Sequence, residues 1–269
     1  MLKAYKFRLY PNKEQEEQIQ KTFGCCRFVY NQTLAYRKEK YETNKEPMNK
    51  TSCNNYCNQV LKKEYNWLKE VDKFALTNSI YNMDGAYQKF FKEHEGYPKF
   101  KSKKDNRKSY TTNFTNENIK VDFNNNRIQL PKLKYVKCKV HRHLDGKIKS
   151  ATISQAPSGK YFVSVLVETE HQILPKNNNK VGIDLGIKDL LITSDGKKFD
   201  NIKTTYKYEK KLAKLQRQIS KKKVGSNNRN KQRIQIAKLH EKIANIRKDN
   251  LHKISHQLIN ENQVISDFA

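Results

Sequence analysis

Residues 2–15 read Leu2-Lys3-Ala4-Tyr5-Lys6-Phe7-Arg8-Leu9-Tyr10-Pro11-Asn12-Lys13-Glu14-Gln15, and the break within this stretch sets the architecture of the first half of the chain. Leu2 and Ala4 give way, after a one-step change of phase, to Tyr5, Phe7 and Leu9 alternating with Lys6 and Arg8. That is the two-residue period of a strand with one buried face. Pro11 ends it. Asn12, with Gln15 three residues on, is a capping-box signature, so a helix opens at once. Ile19, Phe23, Cys26, Tyr30 and Leu34 then recur at helical spacing, and Gly24 inside the run marks close packing.

A polar connection over Glu42–Asn49 leads to Thr51–Glu64, where Cys53 and Cys57 share a helical face as packing residues. A second helical run from Val71 to Lys92 places Phe74, Ile80, Met83, Tyr87 and Phe90 near one face, and Gly96-Tyr97-Pro98 breaks it. Strand patterns resume with Ile119, Val121 and Phe123, an Asn124-Asn125-Asn126 turn, Ile128 and Leu130, and then Val136, Cys138 and Val140 among lysines. Ala156-Pro157-Ser158-Gly159 turns the chain between Ala151–Ser154 and the strand of Tyr161, Val163, Val165 and Val167. The pattern predicts a small antiparallel barrel or sandwich with the helices of 12–92 inserted after its first strand.

Lys176-Asn177-Asn178-Asn179 reads as a linker. Beyond it come a short buried strand at Val181-Gly182-Ile183-Asp184, a second at Leu190–Thr193, and a hairpin turn at Asp195-Gly196. Tyr208, Leu212, Leu215 and Ile219 form one helical stripe. After a break at Gly225–Asn228, Ile236, Leu239, Ile243, Ile246, Ile254 and Leu258 carry a long helix. Val264-Ile265 starts another strand. The fold class expected is α+β.

Lys and Arg number 55 against 27 Asp and Glu, a net charge of +28 on 269 residues. Such an excess asks for a polyanion, and nucleic acid is the usual one, because each neutralised phosphate releases a condensed counterion. Between Lys203 and Gln263 stand 17 Lys and Arg against 4 Asp and Glu, too few acids to pair the cations along a helix. Hydrophobic residues make up 36%, yet 12 Phe and 15 Tyr supply large core groups. No apolar run reaches the roughly 18 residues of a membrane span. The first residues contain no secretory apolar segment. Five cysteines without a paired C-x-x-C framework fit a reducing cytoplasm. The abundant asparagines are read as coding bias rather than binding chemistry.

Asp184, in Gly182-Ile183-Asp184-Leu185-Gly186-Ile187, stands at the end of a buried strand before a tight glycine turn. Two-metal nucleases place a first carboxylate this way, although on the motif alone an Asp bonding its own turn is the commoner case. Cys138, His141 and His143 match no structural zinc spacing, and His252 with His256 lack the glutamate of a zincin, so no zinc is expected. Between Tyr97 and Tyr110, cations (Lys99, Lys101, Lys103, Lys104, Arg107, Lys108) interleave with aromatics (Tyr97, Phe100, Tyr110). This suits a phosphate-tracking loop with stacking groups. Lys221, Lys222, Lys223 and Arg229 are the corresponding phosphate contacts of the basic helical pair.

Several stretches occur in a fixed order: KAYKFRLYPN at 3–12, RFVYN at 27–31, EVDKFAL at 70–76, GYPKFKSKK at 96–104, SYTTNFTNENI at 109–119, PSGKYF at 157–162 and GIDLGIKD at 182–189. Together they resemble the TnpB family, also called OrfB, of insertion-sequence proteins related to type V CRISPR effectors. The resemblance implies an RNA-guided DNA endonuclease associated with transposition. Its expected parts are a wedge β-barrel over 1–11 and 96–178, a helix-turn-helix-like recognition insertion over 12–95, and a partial RNase H-like (RuvC) domain over 179–269. The implied partners are a guide RNA from the transposon end and a double-stranded DNA target, in the cytoplasm, with no membrane. Asp184 takes the place of the first RuvC carboxylate, a Mg²⁺ ligand. Thr51, Ser52, Lys73, Thr77, Thr115 and Asn116 map to the surface that reads a short motif beside the target.

One departure bears on activity. In the family the strand begun by Val264-Ile265 ends in a second catalytic glutamate, and Phe268 stands at that point, with Asp267 turned to the opposite face. The lid, the C-x-x-C zinc module and the third carboxylate do not occur in the chain. One ligand of three does not hold two Mg²⁺ ions for in-line attack. The expectation is therefore a C-terminally truncated, nuclease-inactive member that binds guide RNA and target DNA. The alternatives are an endonuclease completed by a second polypeptide or by recoding, and a basic RNA-binding protein without target specificity.

Overall fold

In the computed structural model, which describes residues 1–105, 108–170 and 176–267, β1 (Leu2–Tyr10) is the middle strand of a seven-stranded sheet. The sheet order is β2-β6-β7-β1-β5-β4-β3, with β2 Lys108–Asn113, β3 Lys120–Asp122, β4 Arg127–Leu130, β5 Lys134–Lys139, β6 Lys147–Gln155 and β7 Tyr161–Glu168. Every pairing is antiparallel. Tyr5, Phe7 and Leu9 are buried while Leu2 and Ala4 stay exposed, so the change of phase after Ala4 is where the strand acquires its core face. Val163, Val165 and Val167 on the neighbouring strand are fully buried beside it. Each such side chain contributes about 1.5–3 kcal/mol by leaving water. Gly146, at φ +117°, precedes β6 where an added Cβ would lie 2.1 Å from the Glu168 carbonyl oxygen, so only glycine passes there.

β2 is a strand that the sequence pattern does not predict. Its sequence, Lys-Ser-Tyr-Thr-Thr-Asn, has one large apolar residue, and the expected phosphate-tracking loop ran through it to Tyr110. In the structure Tyr110 and Thr112 face the core and Thr111 faces out, paired along the whole strand with β6. β-branched threonines suit a half-buried pleated surface, which hydrophobicity alone does not register.

Between β1 and β2 lie the helices. α1 (Lys13–Asn44) begins with both hydrogen bonds of the capping box, Asn12 with Gln15. α2 (Lys50–Tyr56) continues through a π turn (Cys57–Leu61), α3 (Lys62–Glu64) and a 3₁₀ turn (Asn66–Glu70), so the stretch 51–64 is not one regular helix. Cys53, Cys57 and Leu61 are all buried. α4 (Lys73–Glu93) is capped by Asp72, whose carboxylate accepts from the Ala75 N–H at 3.0 Å. It buries Ala75, Leu76, Ser79, Ile80, Met83 and Tyr87, leaving Phe74 and Phe90 half-buried. Gly24 packs against nothing: no atom lies within 4 Å of where its Cβ would be. These elements make one unit, Met1–Glu170; the second is His171–Ala269.

In the second unit β8 (Lys180–Asp184) lies between β9 (Asp189–Thr193) and β11 (Val264–Asp267), with β10 (Lys198–Asp200) beyond β9. β11 runs parallel to β8, while β9 and β10 are antiparallel. α5 (Thr204–Ser220) and α6 (Asn227–Glu261) form an antiparallel helical hairpin. Among the described residues no helix is long and apolar enough to cross a membrane.

Candidate nucleic-acid interface

Three segments distant in sequence converge on α4. Lys73 is its first residue and exposed; its ammonium sits 5.0 Å from the centre of the Phe74 ring. One turn later the Thr77 hydroxyl donates to the Lys73 carbonyl at 3.2 Å and reaches the Asn54 side-chain oxygen on α2 at 3.5 Å. Next to it the Asn78 amide donates to the Thr111 carbonyl at 2.9 Å and to the Asn113 side chain at 3.1 Å, fastening α4 to β2. Asn118 in turn donates to the Asn113 carbonyl and accepts from the Thr115 N–H at 2.8 Å. Thr51 and Ser52 open α2, where Asn49 accepts from the Ser52 N–H and hydroxyl. Asn116, at φ 46°, stands exposed in the turn that follows β2.

The segments that carry the expected motif-reading residues, α2, α4 and the turn after β2, are thus joined by side-chain hydrogen bonds. Asparagines 54, 78, 113 and 118 tie them together, which is binding geometry and not coding bias alone. A side-chain amide can donate and accept, and the four divide the work: Asn54 and Asn113 accept, Asn78 donates twice, and Asn118 both donates to the Asn113 carbonyl and accepts from the Thr115 N–H.

The basic segment after α4 is partly fixed. The Asn31 side chain donates to the Lys101 carbonyl at 3.0 Å and accepts from the Lys101 N–H at 2.8 Å. The Lys101 ammonium lies 4.0 Å from the centre of the Tyr30 ring. Lys101 is exposed as a whole, yet atoms crowded about its ammonium desolvate it and hold its pKa below the ordinary lysine value. Asp105 accepts from the Ser102 N–H, shaping a turn that leaves Lys99, Lys103 and Lys104 exposed. Of the aromatics, Tyr97 and Phe100 are exposed, but Tyr110 is buried in β2 and is not a ring of the loop surface. Arg107 lies outside the described residues.

In the second unit Lys221 and Lys223 are exposed and Lys222 half-buried at the tip of the α5–α6 hairpin. Arg229 does something else. Its guanidinium donates to the carbonyls of Ile219 and Lys222 at 2.8 and 3.0 Å, closing the C-terminal end of α5. A cation on the last carbonyls of a helix offsets the macrodipole as well as filling orphan acceptors. Gln232, buried beside it, donates to the Gln218 side chain at 3.1 Å. Arg229→Ala is expected to destabilise the hairpin by about 1.5–3 kcal/mol, the worth of hydrogen bonds to a charged donor. Lys223→Ala should leave the thermal transition of the full chain where it is.

Asp184 ends β8 with its side chain exposed, opposite Ile192 of β9. The turn beyond it needs glycine: a Cβ on Gly186 would meet the Asp189 carbonyl oxygen at 2.8 Å. β11 sets Asp267 beside Ile183 in parallel register. Neighbours in register share a face, so Asp267 points away from the face of Asp184. Phe268 lies outside the described residues. Among the described residues no three His, Cys, Asp or Glu side chains come together as metal donors. A Mg²⁺ ion takes near-octahedral oxygen ligation. Asp184 by itself does not meet that demand. His141 packs edge-on against Phe7, and His143 stacks on Phe123.

Residues 163–266 match a family described as "Probable transposase", of the OrfB type found in IS605 elements, and residues 1–46 match the "Helix-turn-helix domain" of the same type. The chain is 36% identical to "Putative RNA-guided DNA endonuclease InsQ" of Escherichia coli (strain K12), over 94% of this chain and 62% of that protein. It is 33% identical to "Putative RNA-guided DNA endonuclease" of Streptomyces pristinaespiralis, over 98% of this chain and 65% of that one. It therefore spans somewhat less than two thirds of the length of either relative. Among solved structures, a Cas12f1–sgRNA–target DNA complex superimposes with a TM-score of 0.39 at 15% identity, covering 100% of this chain and 73% of that one.

Proposed function

Because this chain belongs to the OrfB/TnpB family of insertion-sequence proteins, related to RNA-guided DNA endonucleases, we propose that its 269 residues carry the nucleic-acid-binding part of that activity. In this reading the seven-stranded sheet is the wedge barrel, the helices between β1 and β2 are the recognition insertion, and the second unit is part of a RuvC-like domain. The α5–α6 hairpin and the segment 99–104 hold the phosphates of a guide RNA from the transposon end. The surface of Thr51, Ser52, Lys73, Thr77, Thr115 and Asn116 reads a motif in double-stranded target DNA, with hydroxyls and an amide addressing base edges and Lys73 a phosphate. The setting is the cytoplasm.

The observation that carries this reading is the linkage Asn54–Thr77, Asn78–Asn113 and Asn118–Thr115, which gathers three remote segments into one surface. Asp184 marks the first acidic position of the catalytic sheet. Two-metal hydrolysis needs further carboxylates beside it, so in this reading the 269 residues bind without cutting.

The test is binding of purified full chain, loaded with guide RNA, to guide-matched and scrambled duplexes with and without Mg²⁺. The matched duplex should be held more tightly and left uncut, and Asp184→Ala should bind as the parent does. Thr77→Ala should lose about 1–3 kcal/mol of preference for motif-bearing DNA while keeping its RNA affinity. Equal affinity for matched and scrambled duplexes would leave a general basic RNA-binding protein instead. Cutting that depends on Asp184 would show that the present carboxylates suffice.

A further inference from the structure

Between α1, α4, β2 and the segment 101–105 lies a cavity of about 850 Å³. That is within the roughly 300–1,000 Å³ usual for small-ligand sites. Phe23, Cys26, Ala75 and Tyr110 give it a neutral, largely apolar floor, and Arg27, Lys101, Lys103 and Lys108 line it with positive charge. Among the described residues of the lining Asp105 is the one acid, and its carboxylate accepts from the Ser102 N–H. Among the described residues Arg27, Lys103 and Lys108 have no ion-pair partner. Lys101 is held in place by Asn31 and Tyr30, as described above. Gly24 on α1 also faces this space, and nothing stands within 4 Å of its absent Cβ. A glycine in a helix interior is unfavourable relative to alanine, and at this position it leaves the cavity open rather than closing a packing contact.

An apolar floor under a rim of unpaired cations is complementary to one kind of small group, a flat heterocycle carrying a phosphate. We propose that this cavity takes a single unstacked, phosphate-bearing nucleotide of a bound strand. The base lies on the floor of Phe23, Cys26 and Tyr110, and its phosphate meets Arg27, Lys103 and Lys108. The exposed Asn82 amide, also in the lining, is placed to address the base edge. None of the motif-reading residues lines the site, which shares Lys101 and Lys103 with the segment 99–104, and assigning it to a strand rests on the reading of the chain as a nucleic-acid binder. RNA and DNA strands share this chemistry, and the test separates them.

Two measurements on the full chain decide it. The first is binding of free 5′-UMP and 5′-AMP, against inorganic phosphate, by ligand-observed NMR. Nucleotides should bind more tightly than phosphate, and Gly24→Leu, which fills the cavity, should weaken them about tenfold or more, as expected for loss of one base contact. The thermal transition of Gly24→Leu should be no lower than the parent's. The double variant Arg27→Gln, Lys103→Gln repeats the test without filling the space. The second is photocrosslinking of short single strands carrying 4-thiouridine or 4-thiothymidine, with crosslinks expected in peptides containing Phe23 or Tyr110, and whichever strand crosslinks identifies the source. Nucleotide binding that Gly24→Leu leaves intact, or crosslinks found only on the α5–α6 hairpin, would overturn the cavity assignment while leaving RNA binding standing. Lys222→Ala, which weakens long RNA through the hairpin, should not change mononucleotide binding.

Discussion

RNA bound to the full chain should lose roughly 10³–10⁵ in affinity when salt is raised from 50 to 200 mM, if some 6–10 phosphates are neutralised. The physical basis is the α5–α6 segment, with 17 Lys and Arg against 4 Asp and Glu. Of those acids, Asp249 pairs with Lys253 and Glu261 with Lys197, both at the surface where an ion pair contributes little. Most of the positive charge is therefore available to phosphates and releases counterions on binding. Lys221→Ala, Lys222→Ala and Lys223→Ala should each weaken all RNAs alike and lower the slope of log affinity against log salt by about one. Arg229→Ala should not follow that series, because its guanidinium closes α5. An affinity that is flat in salt would remove the hairpin from the interface.

Phe7→Ala should cost about 3–5 kcal/mol, as large aromatic truncations in cores do. A domain of this size holds only about 5–15 kcal/mol in all. Phe7 is 1% exposed on the central strand, paired with Val163 on one side and with its ring against His141. Deleting the ring leaves a void on the core face of β1, beside Val163, and the helices are inserted directly after β1, so the loss falls on the whole first unit. Leu2→Ala, on the same strand but 62% exposed, should change stability by no more than about 0.5 kcal/mol. Denaturant titration of both variants measures the difference. Comparable losses would mean that the core face does not begin at Tyr5.

Where backbone preference and burial agree locally, the sequence was enough. Alternation from Tyr5 to Leu9, the Asn12–Gln15 capping box, the valines of β7 and the stripe of α6 each report a period that one element satisfies alone. The basic character of the hairpin was equally plain, since charge is a sum over residues and needs no coordinates. β2 was missed because threonine and serine carry strand geometry without hydrophobicity. The stretch 51–64 was read as uniform because a π turn keeps residues four apart on nearly one face. Cys53, Cys57 and Leu61 are buried together across it.

The candidate sites divide in the same way. Asp184 stands at the end of β8 before a glycine turn, as the local pattern predicts, and Gly186 is required there by the Asp189 carbonyl 2.8 Å from its missing Cβ. Arg229 and Tyr110 were assigned outward roles from composition, and their neighbours gave them inward ones: two helix-end carbonyls for the first, the sheet core for the second. Asn54, Asn78, Asn113 and Asn118 carry no periodic signal, and their amides matter only because folding brings α2, α4 and β2 within hydrogen-bond reach. Gly24 is the same case, a residue defined by what is absent around it. Element type, capping and net charge depend on neighbours along the chain and were set by the sequence alone. Which cations stay free, which asparagines bridge and where a cavity opens depend on neighbours through space, and those exist only once the sheet and its inserted helices have packed.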